Sequence, residues 1–194
     1  MVRLAKYNDD SFIDCAIHIA AQCGIGAVSM ASIASKAGAP IGSLYHRFES
    51  RGTILARAWL KVRADFGADV IKHWERGHTW LAVEAFLQWC RSKPAYARFM
   101  LQSELAPDFG ELSPALHAEL EADQGAFDAA FARCAQALPS GLDNPGHILH
   151  FILIGAPGAI VKPFLNQQQD IPPFIDAVLR SSHDAVCNWV TAPQ

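Results

Sequence analysis

The 194-residue sequence lacks the patterns that mark several common classes of protein. It has no run of alternating apolar and polar residues between turn signals, so a β-sheet protein is not expected. Its five cysteines are scattered and form no C-x-x-C pair, which argues against zinc binding and thiol exchange. Buried, reduced thiols are the expected state, and a redox-sensing thiol is the alternative.

Motifs of catalysis and of nucleotide binding are also missing. The sequence contains no G-x-S-x-G, no Walker A motif and no G-x-G-x-x-G. His147 and His150 lie three residues apart and can approach His183, but no third ligand follows at a fixed spacing. We therefore expect no catalytic site, no cofactor and no metal, with a helical enzyme as the alternative from another class.

Signals for export or for insertion into a membrane are weak. The first residues, MVRLAKYNDDSF, contain no apolar run and no cleavage site of small residues. The most apolar stretch, residues 148–161, is shorter than the roughly 20 residues that span a bilayer, and it contains His150 and Pro157. We expect a cytoplasmic protein without a membrane partner.

The charges that are present are unevenly divided. The sequence is 51% hydrophobic and 18% charged, which is typical of a globular chain. Residues 1–63 carry eight Lys and Arg against four acids, whereas residues 64–194 carry eight against fifteen. A basic head on an acidic body indicates a polyanionic partner for the head, and a chance fluctuation is the alternative.

Helical periodicity runs through almost the whole sequence and predicts an all-α fold of about nine helices. The first helix is expected to stop near Gly24. Ser29 is predicted to cap a short second helix that ends at Gly38. Pro40 suits the first turn of a third helix, and Ser50 can cap a long fourth one.

The stretch SIASKAGAPIGSLYHRFESR, residues 32–51, has the pattern of a helix-turn-helix. On a helical wheel Leu44 and Phe48 point inward, so the outer face of the third helix is small and polar. Such a helix can enter the major groove of DNA. The predicted DNA-binding residues are Ser29, Pro40, Ile41, Gly42, Ser43, Tyr45, His46 and Arg51.

Within this set the roles differ. The groups that face base edges are expected to be Gly42, Ser43 and His46, with Ile41 near a thymine methyl group. The expected phosphate contacts are Ser29, Tyr45 and Arg51. The alternatives are that Tyr45 is a half-buried core aromatic and that Ser29 and Ser50 are only helix caps.

Residues 12–60 resemble the DNA-binding head of the tetracycline-repressor (TetR-type) family of bacterial transcription regulators. The resemblance rests on Ile33-Ala34, Ala37-Gly38, Leu44-Tyr45, Phe48 and Ser50-Arg51 at fixed spacing. It implies that the first three helices and the start of the fourth bind DNA, and that the last two helices form a homodimer. The remaining helices would enclose a pocket for a ligand.

The sequence also departs from this family pattern. Pro40 stands where Ser or Thr is usual, which removes one possible backbone contact, and Ala31 stands where Arg is common. Gly52 and Thr53 replace acidic residues. The departures leave the base preference open and do not disturb the helix-turn-helix.

The expected domains are a DNA-binding head, residues 1–50, and an effector-binding and dimerisation body, residues 51–194, with helix 51–76 as a shared connector. Most body aromatics are expected to form the core. Those that can also line a pocket are Phe66, Trp74, Phe86, Trp89, Phe99, Phe127, Phe131 and Phe151. The candidate dimer contacts are Ile152, Gly155, Ala159, Phe174, Val178 and Ala185.

Together these features predict a homodimeric repressor. It would bind a partly palindromic operator in double-stranded DNA and release it when a small, largely apolar effector binds the body. The alternative is a DNA-binding regulator with no effector switch.

Overall fold

A computed structural model of the chain describes residues 8–102, 108–138 and 144–191. In these residues the chain forms nine helices and no strand. The predicted all-α fold is therefore confirmed.

The first three helices are short. They are α1 (Asp9–Cys23), α2 (Met30–Ala37) and α3 (Ile41–Tyr45), with a 3₁₀ turn at Ile25–Ala27 between α1 and α2. The fourth helix, α4, begins as Arg51–Phe66, continues through a π-helical segment, Gly67–Ile71, and ends as Lys72–Trp74. The sequence predicted α4 as a long connecting helix but gave no sign of its π-helical segment.

Five helices follow. They are α5 (Thr79–Ser92), α6 (Pro94–Leu101), α7 (Pro114–Gln136), α8 and α9 (Phe174–Thr191). Helix α8 consists of Pro145–His150, a second π-helical segment at Phe151–Gly155, and Ala156–Asn166.

The chain divides into two compact units. Among the described residues, the head unit lies in Met1–Arg63 and Arg98–Asp123, and the body unit lies in Ala64–Ala97 and Gln124–Gln194. Helices α4, α6 and α7 therefore each contribute residues to both units. The predicted domain boundary at residue 50 stays a prediction.

The core of the head unit is built from inward side chains of α1 to α4. Phe12 and Leu44 are fully buried, and the rings of Phe12 and Phe48 meet edge to face with centroids 6.4 Å apart. Burying a side chain of this size stabilises the fold by about 1.5–3 kcal/mol. These contacts hold the short α3 against α1, as its apolar positions predicted.

The core of the body unit contains an aromatic cluster of six side chains. Phe66 contacts Trp74, Phe86 and Trp89 with ring centroids 5.2–6.4 Å apart. Trp74 in turn contacts Phe127 at 5.0 Å and Phe131 at 6.0 Å. Six of the eight predicted pocket residues thus pack against one another.

The other two predicted pocket residues lie elsewhere. Phe99 belongs to the head unit and contacts Trp59, with centroids 6.4 Å apart. Phe151 is 47% exposed on α8. The prediction that the eight line a pocket stays a prediction.

The apolar helix α8 is longer than its sequence suggested. It runs over 22 residues, Pro145–Asn166, so its length and composition suffice to cross a membrane. The expectation that it is too short was wrong, because Pro157 lies in the first turn after the π-helical segment and does not end the helix. The core helix of a soluble protein passes the same test, and 33% of the apolar window is buried within the chain.

Candidate DNA-binding surface

Ser29 positions the start of α2. Its hydroxyl accepts a hydrogen bond from the backbone N–H of Ser32 at 3.0 Å, and the Ser32 hydroxyl accepts one from the Ser29 N–H at 2.8 Å. This is a reciprocal capping box. Ser29 is exposed, so the cap and the predicted phosphate contact are compatible, and the latter stays a prediction.

The turn between α2 and α3 depends on one glycine. Gly38 has a left-handed conformation, with φ of +64°, which costs a residue with a Cβ atom about 1–2 kcal/mol. The next residue, Ala39, donates its N–H to the Ala34 carbonyl at 3.0 Å. Pro40 then precedes α3 in an extended conformation. The predicted ends of α2 are therefore reproduced, whereas Pro40, expected in the first turn of α3, lies just before that helix.

Helix α3 has one buried side and one exposed side. Leu44 is fully buried and Phe48 is 4% exposed, whereas Ile41 is 45% exposed and Tyr45 is 58% exposed. Pro40, Gly42 and His46 are exposed as well, and Ser43 is half-buried. The predicted reading residues therefore share the solvent-exposed side of the helix.

Two details of this side bear on DNA contact. Tyr45 is not a core aromatic, so that alternative is wrong, and its hydroxyl belongs to an exposed side chain. A Cβ atom added to Gly42 would have no other atom within 4 Å, apart from its own helix neighbours. The backbone of α3 is therefore open to close approach at this residue.

Arg51 has structural partners that its sequence position did not indicate. Its Nε donates to the Val28 carbonyl at 2.6 Å, and its Nη2 donates to the Ile25 carbonyl at 2.7 Å. The guanidinium thus holds the 3₁₀ turn that leads into Ser29 and α2. The predicted phosphate contact stays a prediction, but Arg51 has a second role in positioning the start of α2.

The departure at Gly52 also has a structural reason. The residue is buried, and a Cβ atom placed there would lie 1.8 Å from the backbone carbonyl oxygen of Phe109. No side chain fits this position without a backbone shift. Thr53 meanwhile completes the cap of α4, since its N–H donates to the Ser50 hydroxyl at 3.1 Å.

Much of the basic charge of the head unit is paired. Lys61 contacts Asp14 at 2.7 Å and Asp10 at 3.3 Å, and Arg63 contacts Asp123 at 2.9 Å. Arg57 pairs with Glu119 through two hydrogen bonds. These ion pairs are structural ties, so the charge excess counted from the sequence overstates what is available to DNA.

Two basic residues close to α3 were missed as candidate contacts. Lys36 lies exposed in the last turn of α2. Arg47 lies two residues after the end of α3 and pairs with Asp9 at 2.5 Å. Within the described residues, Lys36 has no carboxylate within 4.0 Å. The signal available in the sequence was their position beside the recognition helix.

The predicted dimer contacts fall into two groups. Phe174, Val178 and Ala185 are exposed on α9, spaced four and seven residues apart on one side of the helix. Trp189 extends this stripe, is 58% exposed, and was missed. On α8, Ala159 is exposed and Gly155 is half-buried.

Ile152 does not belong with these surface residues. It is only 4% exposed, because the π-helical segment of α8 packs against α5 on that side. The neighbouring Phe151 is the exposed apolar residue of this segment.

Comparison with known proteins agrees with this geometry. Residues 12–58 match the family model described as bacterial regulatory proteins, tetR family. None of the curated proteins matches the chain in sequence.

Solved structures of TetR-type regulators share the fold. A TetR family transcription regulator from Marinobacter aquaeolei VT8 is 16% identical, with 91% of this chain and 94% of that chain covered and a TM-score of 0.65. The fatty acid degradation regulator FadR from Bacillus halodurans is 14% identical, with 96% and 100% covered and a TM-score of 0.67. SmeT, the repressor of the Stenotrophomonas maltophilia multidrug efflux pump SmeDEF, is 16% identical, with 95% and 88% covered and a TM-score of 0.55.

At these identities the structural likeness establishes the fold, while the family match covers the helix-turn-helix. The regulators of this family bind DNA and are not enzymes. Residues 12–58 thus match the DNA-binding helix-turn-helix of the tetR family of bacterial regulatory proteins, and this match supports a DNA-binding transcription regulator.

Proposed function

We propose that the chain is a cytoplasmic, homodimeric repressor that binds a partly palindromic operator and releases it when a small, largely apolar effector binds the body unit. The DNA-binding part of this proposal rests on one observation. One side of α3 is exposed to solvent, while Leu44 and Phe48 beneath it are buried. A helix supported in this way presents the same small groups to the major groove each time it docks.

The proposed DNA contacts have two roles: some bind phosphates and position the protein, and others read the bases. Tyr45, Lys36 and the start of α2 at Ser29 are exposed where phosphates would lie if α3 entered the groove. Gly42, Ser43 and His46 would face base edges, and Ile41 would contact a thymine methyl group. The small residues allow backbone approach, while His46 supplies hydrogen bonds.

Dimerisation would use the apolar stripe of α9 together with α8. Phe174 and Trp189 are both more than half exposed, which is unfavourable for a monomer in water. Covering these residues with a second copy would bring two α3 helices onto one operator. The half-sites would then be spaced by about 34–36 Å or a multiple of that distance.

Release would use helices that continue from the head unit into the body unit. Helix α4 leads from Arg51 to Trp74, and α7 carries Glu119 and Asp123 in the head unit and Phe127 and Phe131 in the body unit. The pairs of Arg57 with Glu119 and of Arg63 with Asp123 tie the two helices together within the head unit. A displacement of the body half of either helix can thus change the position of α3.

The body unit contains a cavity of about 10 Å³ lined by Val83, Phe151, Leu179 and His183, which holds at most one water molecule. An effector at this position would therefore have to open further space between these side chains. SmeT, which shares the fold, is a repressor, and this supports repression as the mode of control.

Selection from random DNA followed by gel shift tests the DNA-binding part. We expect a palindromic consensus for the wild type, a changed consensus for Gly42→Ala, and the wild-type consensus for Gly125→Ala. Both glycines leave open space for a Cβ atom, but Gly125 lies on α7. An unchanged consensus in Gly42→Ala would remove α3 from base reading.

A regulator without an effector switch is the second candidate. It is favoured by the close packing of the aromatic cluster and by the small size of the body cavity. Titrating any bound compound with and without operator separates the two candidates. Linkage requires the operator to weaken binding of a true effector by the same factor by which the effector weakens operator binding.

A further inference from the structure

Trp74 carries a buried hydrogen-bond donor for which the described residues supply no acceptor. The side chain is 1% exposed at the end of α4, and among the described residues no acceptor lies within hydrogen-bond distance of its indole Nε1. A buried N–H group without a partner costs free energy comparable with a lost hydrogen bond. Native structures retain few such groups, and each requires an explanation.

The second buried tryptophan of the aromatic cluster shows the ordinary arrangement. Trp89 is also 1% exposed, but its Nε1 donates to the Asp65 carboxylate at 2.6 Å. Asp65 is in turn held by Lys93 at 2.8 Å. The same cluster therefore contains one satisfied indole and one unsatisfied indole.

The side chains around Trp74 are aromatic rings that pack edge to face against it. Its ring meets Phe66 at 6.1 Å, Phe127 at 5.0 Å and Phe131 at 6.0 Å, all at steep interplanar angles. Phe66 and Trp74 are buried, but Phe127 and Phe131 on α7 are only half-buried. The α7 side of the cluster is thus the side that can move with the least loss of buried area.

The backbone beside Trp74 is irregular as well. The π-helical segment Gly67–Ile71 separates Phe66 from Trp74 within α4. Segments of this type are rare and occur frequently at functional sites. This observation is independent of the unsatisfied donor and lies in the same turns of the same helix.

We propose that the effector is a flat, apolar molecule bearing one carbonyl or carboxylate oxygen, which accepts a hydrogen bond from Trp74 Nε1 between α4 and the body half of α7. This inference rests on the effector switch proposed above and specifies its ligand. The apolar part would displace Phe127 or Phe131 and stack on the indole ring. The oxygen would satisfy the donor that the free protein leaves unsatisfied.

The proposed site would distinguish among apolar ligands by a single atom, the oxygen that accepts the hydrogen bond. A molecule of the same shape without an acceptor would open the site and still leave the indole N–H unsatisfied. Sites built to bond a polar group discriminate strongly against analogues that lack it. One added hydrogen bond in a buried site corresponds to about a tenfold gain in affinity.

The first test replaces the indole N–H without changing the size of the ring. The residue 3-benzothienylalanine carries sulfur in place of N–H and is introduced at position 74 or, as the matched control, at position 89. In the ligand-free protein we expect an unchanged or higher melting temperature for the variant at 74. We expect a loss of about 2–4 °C for the variant at 89, because Asp65 loses its donor. An equal loss at both positions would show that Trp74 has an acceptor in solution and would overturn the proposal.

The second test uses 2-acetylnaphthalene, 2-naphthoate and 2-ethylnaphthalene as probes. We expect the wild-type protein to bind at least one of the two oxygen-bearing probes about tenfold more tightly than 2-ethylnaphthalene. The ratio between the two tells a neutral carbonyl site from a carboxylate site. The preference for oxygen should disappear in the position 74 variant and persist in the position 89 variant. Equal binding of all three probes, or no binding of either oxygen-bearing probe, would overturn the inference.

Operator binding is measured in parallel on the same preparations. Intact operator binding without a preference for oxygen would refute the ligand assignment and leave the DNA-binding function standing. If the wild type does not bind operator DNA in the absence of any probe, the proposed function is refuted. The probe titrations would still report on Trp74.

Discussion

Helices α3 and α9 both expose large apolar side chains, but their neighbours differ. On α3, Ile41 and Tyr45 stand among Gly42, Ser43 and His46, which are small or polar. On α9, Phe174, Val178 and Trp189 follow one another along a single stripe. The first surface mixes polar and apolar groups, whereas the second is a continuous apolar stripe of the kind that marks an interaction site.

The largest expected effect comes from a charge on the α9 stripe. Ala185→Glu would place an unpaired carboxylate in the proposed dimer contact. We expect monomers by light scattering and at least a 100-fold loss of operator affinity, because linked binding to two half-sites is lost. The matched control is Ala129→Glu on the exposed side of α7, which should stay dimeric. A dimer in both variants would place the interface elsewhere.

The second comparison is between two glycines of the head unit. Gly52→Ala forces a Cβ atom against the Phe109 carbonyl and should lower the free energy of unfolding by about 1–3 kcal/mol. The Cβ atom of Gly42→Ala would lie in open space, so the melting temperature should stay unchanged. The base preference should change. Denaturant unfolding and selection from random DNA measure the two effects. An unstable Gly42→Ala variant would mean that α3 is more confined than it appears in the head unit.

Arg51 should show two effects that two substitutions separate. Arg51→Ala removes hydrogen bonds to two carbonyls and one positive charge, so stability should fall by about 1–3 kcal/mol and the salt dependence of DNA binding should weaken. Arg51→Lys keeps the charge but cannot bridge both carbonyls. It should lose stability and retain the salt dependence. If Arg51→Lys also weakened the salt dependence, the phosphate role would require the guanidinium itself.

The smallest expected effect concerns Asp176 at the start of α9. Its hydrogen bonds from Arg91 hold the pKa of this carboxyl below its ordinary value of 3.8. Because the folded pKa is depressed, the stabilisation is present above pH 3.8 and is lost as the pH falls through the folded pKa. The difference in unfolding free energy between the wild type and Asp176→Asn should therefore shrink below about pH 4. A difference that stays constant down to pH 2 would refute this assignment.

The sequence predicted the helix-turn-helix well because its signals are local. Ser29, Gly38 and Pro40 act within one helical turn of where they stand, through a cap, a left-handed residue and a restricted backbone. The exposed side of α3 follows from a periodicity of 3.6 residues. For the same reason the apolar stripe of α9 was visible in part, although Trp189 near its end was missed.

The aromatic residues of the body show where such reasoning stops. Their number indicated both a core and a pocket, and periodicity could not separate the two. Only the packed chain shows that Phe66 contacts both Trp74 and Trp89, and that Phe99 lies in the other unit. Ile152 looked like an interface residue for the same reason and proved to be buried.

The sequence by itself determined the helices, their caps, the exposed side of α3 and the resemblance of residues 12–60 to the TetR-type family. These depend on hydrogen bonds and side-chain spacing within a few residues. The tertiary structure alone decided that Arg51 holds the turn before α2 and that Gly52 lies under the Phe109 carbonyl. It also decided that, in the part of the chain that the structure describes, Trp74 lacks an acceptor while Trp89 has one. These features join residues that are far apart in the chain, and their distances are set by how the helices pack.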